Sequence, residues 1–111
     1  MDKSTYLRDF ELMILLAALR LGENAYGVPI ARELKLHGRR EVSLANVYAT
    51  LERLQEKGYV SSELADPTPE RGGRAKRYFS VTAQGLKKVR ETQRVLVRLW
   101  RGVSGLQGDT V

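Results

Sequence analysis

Between Ser43 and Thr82 the chain reads SLANVYATLERLQEKGYVSSELADPTPERGGRAKRYFSVT, and no other stretch narrows the choice of fold as much. Ser43 is placed to cap a helix, because a serine hydroxyl accepts from the orphan N–H groups of a first turn. Val47, Leu51 and Leu54 recur at helical spacing and make one apolar stripe. Gly58 then stands where a helix end calls for the left-handed conformation. The spacing predicts a helix over about 44–57. Residues 59–64 and 77–81 follow as two short strands, and the ADPTPERGGRAK between them must be a loop, since its prolines and paired glycines continue neither a ladder nor a helix.

A capped helix followed by a basic hairpin suits nucleic acid. The first turns of the helix are expected to expose Ser43, Asn46, Thr50 and Arg53, short polar groups and one guanidinium of the kind that reach base edges in a major groove. Arg71, Arg74, Lys76 and Arg77 crowd the second half of the loop, where basic groups on a hairpin tip suit phosphate contact or minor-groove insertion. Either feature alone reads equally well as a solvated surface; the pair together is more specific.

The charge distribution agrees. Of 111 residues with a net charge of +6, residues 1–38 carry five basic and five acidic groups, whereas residues 39–101 carry fourteen basic and seven acidic ones. The positive field thus belongs to the helix–hairpin region and the helix after it, the footprint of a polyanion binder. With no cysteine, disulfides, thiolate metal sites and a cysteine nucleophile are all excluded. His37, the single histidine, has no ligand partner nearby in sequence and sits at an expected helix end, where a cation is mildly favoured. No metal or cofactor is expected. The apolar run LMILLAAL is too short to span a bilayer and no signal peptide is visible, so the expectation is a cytoplasmic protein without membrane contact.

Upstream, a first helix runs to about Leu21, capped by Asp9, Ser4 or Thr5. Phe10, Met13, Ile14, Ala17 and Leu21 share one face, while Leu12, Leu15, Leu16 and Leu19 cover much of the rest. A helix so apolar all round must be buried on several sides, as a core helix and a candidate part of a subunit interface. Asn24 is the expected cap of a second helix, about 25–37, with Pro29 in its first turn and Val28, Ile30 and Leu34 inward. Gly38 stops it, and Arg39-Arg40-Glu41 links to Ser43. Two short helices joined this tightly form a helix-turn-helix. Tyr26, at the start of the first of them, either touches a phosphate through its hydroxyl or packs half-buried.

Downstream, Thr82 caps a last helix expected over 83–102. Leu86, Val89, Leu96, Trp100 and Val103 fall on a three-four spacing with Gln93 in the remaining slot, and Val95 and Leu99 widen the stripe. So long a seam is more than one small domain needs. It predicts a dimerisation helix packing on its symmetry mate and on the first helix of that mate, Phe10 included; the alternative is a helix folded back on its own domain. Its other face carries Lys87, Lys88, Arg90, Arg94, Arg98 and Arg101. Residues 104–111 show no pattern and read as a loose tail.

The chain resembles the PadR family of winged-helix transcriptional regulators in its short form, over roughly residues 7–103. Four segments carry the resemblance in order: the first helix followed by Ala25-Tyr26-Gly27; Ser43 through Gly58, with Tyr48, Leu51, Arg53, Leu54 and Gly58 in place; Gly73-Arg74-Ala75-Lys76-Arg77-Tyr78; and Val81-Thr82-Ala83-Gln84-Gly85. The resemblance implies an α+β, mainly helical fold: a winged helix-turn-helix domain over 1–82, a dimerisation helix over 83–103 and a tail. It also implies a homodimer on double-stranded DNA with a pseudo-palindromic operator, usually repressing. DNA contacts would fall on Ser43, Asn46, Tyr48 and Thr50, and on Arg71, Arg74 and Lys76 of a wing at 66–77. Many members carry Gly and Pro around the start of this helix, where Ala45 and Ala49 stand here and Asn46 is an unusual choice, so base preference does not transfer. Some short members bind flat aromatic effectors between subunits near an aromatic of the last helix; Trp100 either packs in the seam or lines such a pocket.

Two other classes compete. A winged-helix module that binds an acidic protein partner would show weak, unspecific DNA affinity. An enzyme would need paired carboxylates, a nucleophile–base pair or a phosphate-binding glycine loop, and Gly72-Gly73 is too short and precedes a strand rather than a helix.

Overall fold

A computed structural model describes residues 7–65 and 76–106. In chain order it contains α1 (Asp9–Leu21), a 3₁₀ turn (Gly22–Asn24), α2 (Gly27–Leu36), α3 (Leu44–Glu56), strands β1 (Val60–Ala65) and β2 (Lys76–Val81), α4 (Ala83–Trp100) and a final 3₁₀ turn (Ser104–Leu106). The strands form one antiparallel hairpin, with Val60 opposite Val81 and Ala65 opposite Lys76. The fold is mainly helical with a two-stranded hairpin, as the sequence predicts.

The core lies between α1, α2, α3 and the root of the hairpin. Ile14, Leu15, Ala17 and Ala18 of α1 meet Ile30 and Leu34 of α2, Val47, Leu51 and Leu54 of α3, and Phe79 of β2. The hairpin is tied to the α1–α2 connection by the Phe79 N–H, which donates to the Ala25 carbonyl at 2.8 Å.

The helix ends explain how α3 is set in place. The Ser43 hydroxyl accepts from the Asn46 N–H at 3.1 Å, as a cap should. At the other end Gly58 adopts φ 84°, and the Tyr59 N–H reaches Leu54 O while the Gly58 N–H reaches Gln55 O. Those two bonds are the Schellman pattern, which satisfies the last carbonyls of the helix. Thr82 joins this end to α4: its hydroxyl donates to Gly58 O at 2.7 Å and accepts from the Gly85 N–H at 3.0 Å.

Several expectations need correction. The cap position of α1 is Arg8, not Asp9, and the Glu11 carboxylate satisfies the Arg8 N–H at 2.9 Å. Ser4 and Thr5 lie outside the described residues. Asn24 closes the 3₁₀ turn, so α2 starts at Gly27 with Tyr26 as its cap residue. Val28 is exposed, because α2 turns only Gly27, Ile30 and Leu34 fully inward. Leu16 and Leu19 of α1 are also exposed within a single chain. Ser104–Leu106 form a turn where no pattern was expected.

α4 shows a further difference. Only Gly85 and Val89 are buried along its 18 residues. Val89, expected at a subunit interface, belongs instead to the core of its own domain, since the first turns of α4 lie against the hairpin and α1. Leu86 is half-buried. Gln93, Leu96, Leu99, Trp100 and Val103 are all exposed, Leu99 at 69%.

Candidate nucleic-acid interface

α3 packs one side on the core and leaves the opposite side uncovered. With 100° between successive residues, Val47, Thr50, Leu51 and Leu54 point inward, and Ala45, Ala49, Glu52 and Glu56 form the row facing directly away. Asn46 and Arg53 lie on one flank of that row and Tyr48 on the other.

On the first flank a surface hollow forms between α3 and the start of α1. Its wall includes Phe10, Arg40, Ser43, Asn46, Ala49 and Arg53. The Arg40 guanidinium lies 5.0 Å from the centre of the half-buried Phe10 ring and 3.4 Å from an Asp9 carboxylate oxygen. Arg53 donates to the Thr50 hydroxyl at 3.2 Å. Thr50 is only 2% exposed, which overturns the expectation that it meets a base: its place on the wheel is close enough to the apolar stripe to be covered. What it does is steer Arg53. Asn46 and Ser43 are exposed as expected, and the Ser43 hydroxyl keeps its proton for a second partner while serving as cap acceptor.

Tyr48, on the other flank, is half-buried, with its ring 6.3 Å from that of Phe79. It lies over Gly27, where an added Cβ would run into the phenol ring. Tyr26 is half-buried beside it, edge-on to Tyr78 at 5.2 Å, with the Lys76 ammonium 4.9 Å from the ring centre. Tyr26, Tyr78 and Lys76 thus make the root of the wing. Arg71 and Arg74 lie outside the described residues.

One basic residue emerges that the sequence reading did not assign, Arg40, and another, Arg77, expected among the cations of the hairpin tip, lies within the ladder opposite Leu64. Arg40 stood in the interhelix link without a role, although its Arg-Arg doublet before a capped helix was a usable signal. Arg77 bridges β2 and α3: it donates to the Ser62 hydroxyl at 3.2 Å and to the Gln55 side-chain oxygen at 3.5 Å, lies 3.9 Å from a Glu52 carboxylate oxygen, and stacks 5.4 Å from the Phe79 ring centre. Those contacts fix the angle between hairpin and helix.

Beneath this surface sits a buried carboxylate. Glu11 is 2% exposed and accepts from Lys57 at 2.9 Å, which pins the C-terminal end of α3 to the first turn of α1. Burial pushes the Glu11 carboxyl up, but the Arg8 N–H, the Lys57 ammonium and the charge of Arg53 more than offset it and leave it below its ordinary value.

The arrangement is a band crossing the exposed N-terminal half of α3, with Arg40 and Arg53 on one side and Lys76 on the other. Short side chains fill its middle. An exposed helix face of short side chains with cations on its flanks has the form that a major groove admits. Among the described residues no group of three His, Cys, Asp or Glu side chains is placed to hold a metal ion, and no helix is long and apolar enough to cross a membrane.

Comparison with known proteins gives a consistent result. The sequence pattern of the transcriptional regulator PadR-like family matches residues 15–91. Among solved structures, a PadR family transcriptional regulator from Eggerthella lenta DSM 2243 is 26% identical, with a TM-score of 0.68 over 88% of this chain and 83% of that one. A PadR-like transcriptional regulator from Bacillus cereus strain ATCC 14579 is 25% identical, with a TM-score of 0.68 over 90% and 93%. A PadR-like transcription factor from Bacteroides fragilis is 26% identical, with a TM-score of 0.69 over 87% and 88%. Among curated proteins, none matches this chain.

Proposed function

This chain belongs to the PadR-like family of transcriptional regulators, and on that premise we propose that it acts in the cytoplasm as a homodimeric repressor on a pseudo-palindromic DNA operator. α3 enters the major groove, and the wing at 66–77 follows the backbone or the minor groove. The observation that carries this reading is the uncovered N-terminal half of α3, flanked by Arg40, Arg53 and Lys76 and free of acidic groups until Glu52. Carboxylates at Glu52 and Glu56 limit the groove contact to the first two turns, where the helix dipole also favours phosphate.

The dimer is supported by α4. Past Val89 it leaves Leu96, Leu99, Trp100 and Val103 uncovered, and Leu16 and Leu19 of α1 are uncovered as well. Such a surface fits a second copy of the chain, making residues 83–103 the dimerisation unit and residues 1–82 the DNA-binding unit. Trp100 belongs to that seam, where a flat aromatic effector between the subunits would also meet it.

The test is a fluorescence-anisotropy titration with DNA from upstream of the protein's own gene and a scrambled duplex, repeated at several salt concentrations. Tighter binding to the native duplex, with affinity falling steeply as salt rises, is expected, because each phosphate contact releases counterions. Equal, weak binding to both would instead favour a winged-helix module that meets an acidic protein partner.

A further inference from the structure

The row of α3 facing straight away from the core begins with two alanines. Ala45 and Ala49 are both exposed, and they stand one helical turn apart, about 6 Å along the axis. Their neighbours on the flanks are the polar Asn46 and the half-buried Tyr48, and the row turns acidic only at Glu52. Arg40 and Arg53 flank this row, with Asp9 and Glu41 beside Arg40, and the centre of the surface is a pair of methyl groups.

We infer that Ala45 and Ala49 select thymine through its 5-methyl group, in a short A·T-containing segment of each operator half-site. The inference rests on the reading of α3 as the recognition helix. A methyl side chain on the leading face lets the helix axis approach the base edges closely. Of the four bases only thymine offers a methyl in the major groove; the others present donors or acceptors there. An alanine pressed on such a polar edge strips its water without returning a hydrogen bond, whereas an alanine on a thymine methyl buries apolar surface on both sides. The surface thus favours thymine by attraction and disfavours other bases by desolvation. The 6 Å spacing corresponds to about two base-pair steps at 3.4 Å each, which places both thymines within three consecutive base pairs. Asn46, adjacent to Ala45, has the amide that pairs bidentately with adenine, so an A·T pair can be read from both of its bases. Arg40 and Arg53 on one flank and Lys76 on the other supply the charge complementarity that seats the duplex over this row.

The experiment starts from a duplex selected out of a random library by the wild-type protein. Each thymine of a half-site is then replaced singly by deoxyuridine, which removes the methyl and keeps every hydrogen-bonding group. Binding is measured by anisotropy for the wild type and for the Ala45→Ser and Ala49→Ser variants, with circular dichroism confirming helicity. The expected result is a loss of about fourfold at each of two nearby thymines, the factor for one buried methyl-sized group, and disappearance of one of those losses in each serine variant. Uridine tolerated at every position by the wild type overturns the inference even if the serine variants misfold, and so does a serine variant that still prefers thymine at both. Selection that yields no preferred sequence overturns the inference together with the regulator reading; a clear preferred sequence with neutral uridine overturns the inference alone.

Discussion

Replacing Lys57 by methionine should destabilise the protein in a pH-dependent way that identifies the Glu11–Lys57 pair as a structural clasp. Glu11 is 2% exposed and its partner Lys57 has a side chain 26% exposed, with 2.9 Å between them. Truncating one member of a buried ion pair typically costs 3–5 kcal/mol, because the other charge is left without compensation; the partial exposure of Lys57 argues for less, about 2–3 kcal/mol at pH 7. For a domain of this size that is a fall in Tm of about 10–20 °C. The sign of the pH dependence follows from the carboxyl. In the wild type its value lies below the ordinary 4.5, so its stabilisation is complete above that pH and is lost as pH falls through the folded-state value. Without the ammonium two of the causes that lower the carboxyl are gone and it rises relative to the wild type, so the penalty is full at neutral pH and shrinks as the group protonates in acid. The Lys57→Met deficit should therefore be largest near pH 7 and fall below about 1 kcal/mol near pH 4, where only lost packing remains. Glu11→Leu combined with Lys57→Met should recover much of the loss, as apolar replacements of buried pairs do. Thermal and urea unfolding followed by circular dichroism, at one fixed protein concentration, measure all of this. A deficit under about 0.5 kcal/mol at pH 7, or one of equal size at both pH values, would refute the reasoning.

Three further outcomes are expected. Gly85→Ala should destabilise by about 1–3 kcal/mol or more in urea unfolding, since the added methyl would run into the Tyr59 carbonyl and crowd Val81. Arg77→Ala should weaken DNA binding to preferred and scrambled duplexes alike in anisotropy titrations, because it frees the wing from α3 without touching Asn46 or the alanine row. Leu99→Lys should shift the chain toward monomer in sedimentation equilibrium with the monomer's helicity retained, since Leu99 is 69% exposed in the single chain.

The features legible in the sequence are those whose causes are local. Ser43, Gly58 and Thr82 each act on groups within a few residues, and the structure places all three at the helix ends that their chemistry predicts. Most of the loop expected between the strands lies outside the described residues, and its two ends, Ala65 and Lys76, belong to the ladder. What the local pattern does not decide depends on distant neighbours. Thr50 sits at the border of the apolar stripe, and only the packing around α3 decides that it is covered. The period of α4 marks Val89 as apolar but is silent on whether its own domain or another copy covers it. Nothing local marks Glu11, because the lysine that holds it lies 46 residues away. The mutual fit of Gly27 and Tyr48, a ring resting where a side chain would otherwise be, exists only in three dimensions.

The most direct test of the central claim is selection of binding sites from random duplexes, followed by equilibrium affinities for the selected and a scrambled duplex at near-physiological salt. The expected result is a preference of about a thousandfold or more, with two symmetry-related half-sites in the selected sequence. A ratio near one, with no half-site symmetry, would contradict it.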